Sequence, residues 1–182
     1  MDKIKTRKIE FEIEGYEPGY LIDPYLGLDA PKNRDEGIQQ GEQKADSRRN
    51  EKGEICVPAT QLKAVLKLAA GEQAKKTEVN KRKTEIRACL NVFPAMLSTG
   101  RKEHDGIDIQ PVQRDKGKGI KTIVLTYRPI LKKWKVRGEM EFMDNISPEY
   151  VKNLLEFGGI RIALGGYRPE YGRFRVTKFK EI

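Results

Sequence analysis

The chain has 182 residues, 37% of them hydrophobic, 8% aromatic and 35% charged, which suits one domain with a large insertion rather than two full-sized ones. Its 36 Lys and Arg outnumber 27 Asp and Glu for a net charge of +9, a balance that favours polyanionic partners without naming one. No run of about 18 apolar residues exists, so no membrane association is expected.

Met1-Asp2-Lys3-Ile4-Lys5 has no apolar stretch behind its charges, and no secretory signal is visible. Cys56 and Cys89 have neither metal-ligand spacing nor the density of a disulfide framework. The expectation is a cytoplasmic protein without metal or cofactor.

Ile9, Phe11 and Ile13 alternate with Lys8, Glu10, Glu12 and Glu14, the period of a half-buried strand that Gly15 and Pro18-Gly19 end. Over 20–53 no sustained periodicity follows. The stretch reads as a long structureless excursion, a finger reaching out of the domain. Ile55-Cys56-Val57 is a short apolar run ending at Pro58. Thr60 is placed to cap a helix in which Leu62, Val65, Leu66 and Ala69 recur at helical spacing. Lys63 and Lys67, four apart, share another face of it. Residues 77–88 read as a charged helix, Leu90-Asn91-Val92-Phe93 as a short strand or buried turn, and 98–119 as loop.

Further on, 120–127 reads as a strand, and Trp134, Val136, Met140 and Phe142 hold the even positions of another. Ser147 caps a helix with Pro148 in its first turn, Val151, Leu154 and Leu155 form its apolar face, and Gly158-Gly159 stop it. Ile160, Ile162 and Leu164 alternate as a strand, a glycine-rich turn follows, and Phe174 and Val176 start the last strand. Reduced to its skeleton the order is β-α-β-β-α-β. This is an α+β fold of ferredoxin-like or RNA-recognition-motif type with a long thumb-like insertion. It reads as a single domain over 1–182, with insertions at about 15–53 and 75–119. One face of such a sheet is left free to meet a ligand.

The stretch 158–176 is the most informative. Its glycines alternate with Arg161, Arg168, Arg173, Arg175 and the rings of Tyr167 and Tyr171. Backbone N–H groups at Gly165 and Gly166 can hold phosphate, arginine can clamp it, and aromatic faces can stack on bases. Arg128 is counted with this set; its Tyr-Arg-Pro tripeptide recurs at 167–169, though two copies on different elements make no repeat architecture. The competing reading is a tight hairpin whose glycines satisfy turn geometry and whose tyrosines cover the core.

With these segments in place, the chain resembles the RAMP superfamily, the RNA-binding proteins of CRISPR systems. It is most similar to a reduced form of the backbone subunits that coat the guide RNA. In that family a strand leads into a thumb-like excursion. A segment Ile-Pro-Gly-Ser-Ser-Leu-Lys-Gly-x-x-Arg then starts the first helix, and a glycine-rich loop precedes the last strand. Here Val57-Pro58-Ala59-Thr60-Gln61-Leu62-Lys63-Ala64-Val65-Leu66-Lys67 stands at the matching place. Ala59 replaces the glycine, Gln61 the second serine and Lys67 the arginine. The resemblance covers roughly 4–72 and 120–179.

The resemblance implies that Lys63 and Lys67 contact a nucleic-acid backbone and that the 165–173 loop wraps phosphates. It also implies a 15–53 excursion that touches a neighbouring subunit. The bland alternative for both lysines is a solvated helix face. The implied partners are single-stranded RNA or DNA, with copies of the chain or other subunits of a ribonucleoprotein. A phage or mobile-element protein that mimics such a subunit to inhibit a CRISPR complex would carry the same features.

Catalysis has little support. No Gly-x-Ser-x-Gly, phosphate-binding loop, His-Glu-x-x-His or Cys-His pair occurs. The resemblance brings forward Asp23 and Asp29 as weak candidates for an aspartate-assisted ribonuclease, against a turn-forming role beside Pro and Gly. His104, the single histidine, reads as solvated, and Cys56 and Cys89 read as core.

Overall fold

The computed structural model describes residues 5–23, 29–115 and 121–182. Expectations that fall on 1–4, 24–28 and 116–120 lie outside the described residues.

The first strand, β1 (Thr6–Gly15), sits where the alternation puts it, with Ile9, Phe11 and Ile13 fully buried. It is a central strand of a four-stranded antiparallel sheet, flanked by β8 (Lys135–Met143) and β9 (Phe174–Glu181), with β4 (Leu90–Phe93) beyond β8. On its inner face lie α2 (Ala59–Glu72) and α4 (Pro148–Arg161). In chain order these six elements read β1-α2-β4-β8-α4-β9, the ferredoxin-like arrangement. The core is one contiguous set that joins Phe11, Met140 and Phe142 of the sheet to Leu62, Val65, Leu66, Val151, Leu154 and Leu155 of the helices.

The expected strand at 120–127 does not belong to this sheet. It is part of β7 (Lys121–Leu131), which pairs with β2 (Tyr20–Leu21) and β6 (Ile107–Asp115) in a second sheet. The core position falls instead to the short β4. Much of 98–119 is therefore not loop but β6 and its approach. The strand is hidden in sequence because Pro111 and Gln113 take apolar positions of the alternation begun by Ile107 and Ile109, and Val112 a polar one.

Nor is 20–53 structureless. It contains α1 (Arg34–Asp46), whose N-terminus is closed reciprocally: the Asn33 side chain accepts from the Glu36 N–H, and Glu36 accepts from the Lys32 N–H at 2.8 Å. The helix lies on β7 through the small residues Gly37, Gly41 and Ala45. A two-stranded ribbon of β3 (Cys56–Pro58) and β5 (Met96–Ser98), and α3 (Val79–Cys89) against α2, complete the fold.

Helix boundaries also differ in two places. Pro58, not Thr60, is the N-cap of α2, and Thr60 is an exposed residue of its first turn. Gly158 and Gly159 do not stop α4. They are buried inside it, where the missing side chains let the helix approach Val65 of α2 and the Phe174 carbonyl of β9. Ile160 and Arg161 consequently end a helix, and Ile162 to Leu164 form its exit rather than a strand.

Candidate nucleic-acid interface

The helix α4 unwinds into a bend whose backbone is tied almost entirely to its own chain. Ala163, Gly165, Tyr167 and Gly172 all have positive φ angles. The Leu164 N–H donates to Gly172 O at 2.9 Å, the Tyr171 N–H to Tyr167 O at 3.0 Å, and the Gly172 N–H to Gly19 O at 2.7 Å. The Gly166 N–H, one of those expected to hold phosphate, donates instead to Leu21 O at 3.2 Å. Gly165 is pressed against Leu21 and the ring of Tyr20. The glycines thus admit close approach of the protein's own backbone, as the competing reading has it, but in the exit of a helix and not in a hairpin, since no strand lies between α4 and β9.

The tyrosines follow the same logic. The Tyr167 ring lies 4.5 Å from the guanidinium carbon of Arg128, and its hydroxyl donates to Pro111 O at 3.0 Å. Arg128 Nε in turn donates to the Asp23 carboxylate at 3.1 Å. Tyr171 meets Gln110 Nε2 at 3.4 Å, and burial together with nearby Asp108 pushes its hydroxyl pKa up. Neither ring is a free stacking platform. Both bolt the bend to the β6–β7 hairpin.

What the end of α4 and the bend present to solvent is mostly cationic, with Glu170 as an exposed carboxylate among the arginines. Arg161, Arg168 and Arg173 are exposed. Arg173 uses its Nε on Pro169 O at 2.8 Å, and Arg161 and Arg168 have no partner among the described residues. None of the three is paired with a carboxylate among those residues. Arg175 differs: it is one residue into β9 and bound to Glu14 at 2.8 Å.

That pairing belongs to a larger pattern on the open face of the sheet. Glu10, Glu12 and Glu14 form an acidic row along β1, matched by Lys178, by Lys135 and Arg137, and by Arg175 on the neighbouring strands. Glu12 accepts from Thr177 at 2.6 Å and from Arg137, which together hold its carboxyl at about 2. The face expected to be free for a strand of nucleic acid is occupied in large part by these ion pairs, although Lys8 and Lys180 on it have no carboxylate partner among the described residues.

The remaining candidates are dispersed. Lys63 reaches Asn91 Oδ1 at 3.1 Å and Lys67 has no partner among the described residues; both are half-buried on α2, away from the bend. Asp23 is committed to Arg128, while Asp29 is exposed and its backbone carbonyl accepts from Gln40. No group of three or more potential metal ligands occurs among the described residues. His104 is not solvated as expected: its side chain is only 13% exposed and its Nε2 meets Glu42 at 3.0 Å. Asp105 next to it is bound by Arg101 and by the Lys132 N–H, which hold its carboxyl at about 2. Cys56 is buried, and Cys89 is partly buried against the core.

The architecture recurs in a solved assembly. Over 98% of this chain and 61% of the other, it superposes with a TM-score of 0.59 at 13% identity on one chain of the cryo-EM structure of the Type III-B Cmr-beta bound to cognate target RNA. What the two share is the fold, a ferredoxin-like core with inserted elements. The chain spans less than two thirds of that neighbour's length. No protein-family model and no curated protein matches it.

Proposed function

We propose that this protein binds single-stranded nucleic acid, RNA in the first instance, without cleaving it, and that it assembles along the strand beside copies of itself or other subunits of a ribonucleoprotein. The observation that carries the reading is the bend at 163–173. It is held from behind by backbone hydrogen bonds and by the Arg128–Tyr167 stack, and with the end of α4 just before it leaves Arg161, Arg168 and Arg173 exposed, no carboxylate pairing any of them among the described residues. Exposed guanidinium groups without a carboxylate partner are available to grip phosphates through charge-assisted hydrogen bonds. The RAMP-like fold, found in an assembly bound to target RNA, supports the same reading. The glycine backbone and the two tyrosines serve as scaffold for these arginines.

Titration of a fluorescent single-stranded RNA by anisotropy at several salt concentrations tests this. Neutralising about six phosphates gives a log–log slope of roughly −4 on a single strand. Arg161→Glu/Arg168→Glu is expected to abolish most binding while leaving the thermal midpoint unchanged, since neither side chain has a partner to lose. A salt-independent signal, or no retention of any oligonucleotide, would overturn the proposal. A stable protein partner captured without nucleic acid would favour the subunit-mimic alternative instead.

A further inference from the structure

We infer that Tyr16 is a stacking platform for one unpaired base of the bound strand; this rests on the nucleic-acid reading above and adds a contact to the base where that reading has contacts to phosphate. Tyr16 directly follows β1. Its N–H donates to Arg173 O at 3.3 Å, which carries the β1–β9 register one step past its last pair, Gly15 with Phe174. That last pair faces the core: Phe174 is fully buried, and a Cβ at Gly15 would run into the ring of Trp134. Side chains alternate along a strand, so Tyr16 and Arg173 stand side by side on the opposite, open face of the sheet.

The ring is uncommitted. Tyr16 is 38% exposed, and among the described residues its hydroxyl has no hydrogen-bond partner and no ring or cation stacks on it. Arg173, the neighbour that could cover it, instead donates through Nε to Pro169 O at 2.8 Å, and its terminal nitrogens have no partner among the described residues. The backbone beneath is fixed: the Gly15 N–H donates to Trp134 O at 2.9 Å, and the Gly172 N–H, on the bend, to Gly19 O at 2.7 Å. Glu14, two residues back on the same face, is already held by Arg175 at 2.8 Å.

Exposed aromatic side chains scattered singly are ordinary on protein surfaces. What sets Tyr16 apart is its neighbour, as Phe93 makes plain. Phe93 is 47% exposed on the same face, at the outer edge of the sheet, but it stands opposite Glu139, a carboxylate with no cation paired to it among the described residues. A base stacked on Phe93 would bring its phosphate towards that carboxylate. A base stacked on Tyr16 brings its phosphate towards the guanidinium of Arg173. An open ring with a cation directly across the strand therefore suits a nucleotide whose base face is free, as in a single strand and not in a duplex. Tyr167 and Tyr171, whose rings are spent on the β6–β7 hairpin, leave this role open.

The test titrates the full chain and its Tyr16→Ala, Tyr16→Leu and Tyr16→Phe variants with a labelled oligoadenosine RNA and with an abasic ribose-phosphate strand of the same length. Tyr16→Ala is expected to bind the oligoadenosine about tenfold more weakly, the share of one base–aromatic stack, with the salt slope unchanged because no phosphate contact is lost. Tyr16→Leu falls with it, and Tyr16→Phe binds as wild type does, since the ring and not apolar bulk or the hydroxyl makes the contact. On the abasic strand all four bind alike. Phe93→Ala changes neither affinity. Oligoadenosine affinity equal to wild type in Tyr16→Ala, or an equal loss on both strands, would overturn the stacking role; if Arg161→Glu/Arg168→Glu still abolishes binding, the proposed function stands without it. If the wild-type chain binds neither strand, both fall together.

Discussion

Arg128 is held between Asp23 and Tyr167: its Nε donates to the carboxylate at 3.1 Å, and its guanidinium carbon lies 4.5 Å from the ring centre. Three elements far apart in sequence meet there, the end of the β2 segment, the strand β7 and the bend after α4. The sandwich sets the attitude of the outward arginines, so its loss acts on binding through position and not through a lost phosphate contact.

Tyr167→Ala removes both the cation–π contact, worth about 0.5–2 kcal/mol, and the hydrogen bond to Pro111 O, worth about 0.5–1.5 kcal/mol. Tyr167→Phe removes only the second. Thermal unfolding is expected to rank wild type above Tyr167→Phe above Tyr167→Ala, and RNA affinity should follow the same order. Full affinity in Tyr167→Ala would show that the bend needs no support from the hairpin.

A second expectation concerns acid. Hydrogen bonds from Thr177 and Arg137, with Lys135 nearby, lower the Glu12 carboxyl from 4.5 to about 2. The folded protein therefore binds this proton more weakly than the unfolded chain does. The contribution is complete above the ordinary carboxylate pKa and is lost as the pH falls through the folded value. Glu12→Gln should be less stable than wild type at neutral pH and should lose stability less steeply between pH 4.5 and about 2. Denaturant midpoints measured across that window decide the matter: parallel acid limbs for the two proteins would mean that other carboxylates govern the transition.

Large apolar residues at regular spacing made β1, α2, α4 and β8 legible, because Ile9, Phe11, Leu62, Val65, Leu154 and Phe142 announce a core directly. Small residues did not. The packing face of α1 is Gly37, Gly41 and Ala45, which carries no apolar period even though Asn33 and Glu36 spell a capping pair before it. Gly158 and Gly159 looked like a stop for the same reason: a glycine that admits a neighbouring helix or strand is indistinguishable in sequence from one that ends a helix. The arginines of the bend were readable as cations, but their separation into outward Arg161, Arg168 and Arg173 and committed Arg128 and Arg175 was not. That division depends on Asp23 and Glu14, more than 100 residues away along the chain.

The two glycines of α1 offer a test in which local and tertiary effects oppose each other. Replacing an interior helical glycine by alanine favours the helix by about 1 kcal/mol. At Gly37 the added Cβ would run into the ring of Tyr127, a buried aromatic that cannot withdraw. Overpacking of that kind costs about 1–3 kcal/mol, so the tertiary term wins and Gly37→Ala should lower the thermal midpoint. At Gly41 the nearest atom is Ile107 Cδ1 at 2.6 Å, the far end of a side chain that can rotate aside. There the two terms nearly cancel, and Gly41→Ala should unfold close to wild type. Equal destabilisation at both positions would mean that α1 is held against β7 by something other than the fit of Gly37 to Tyr127.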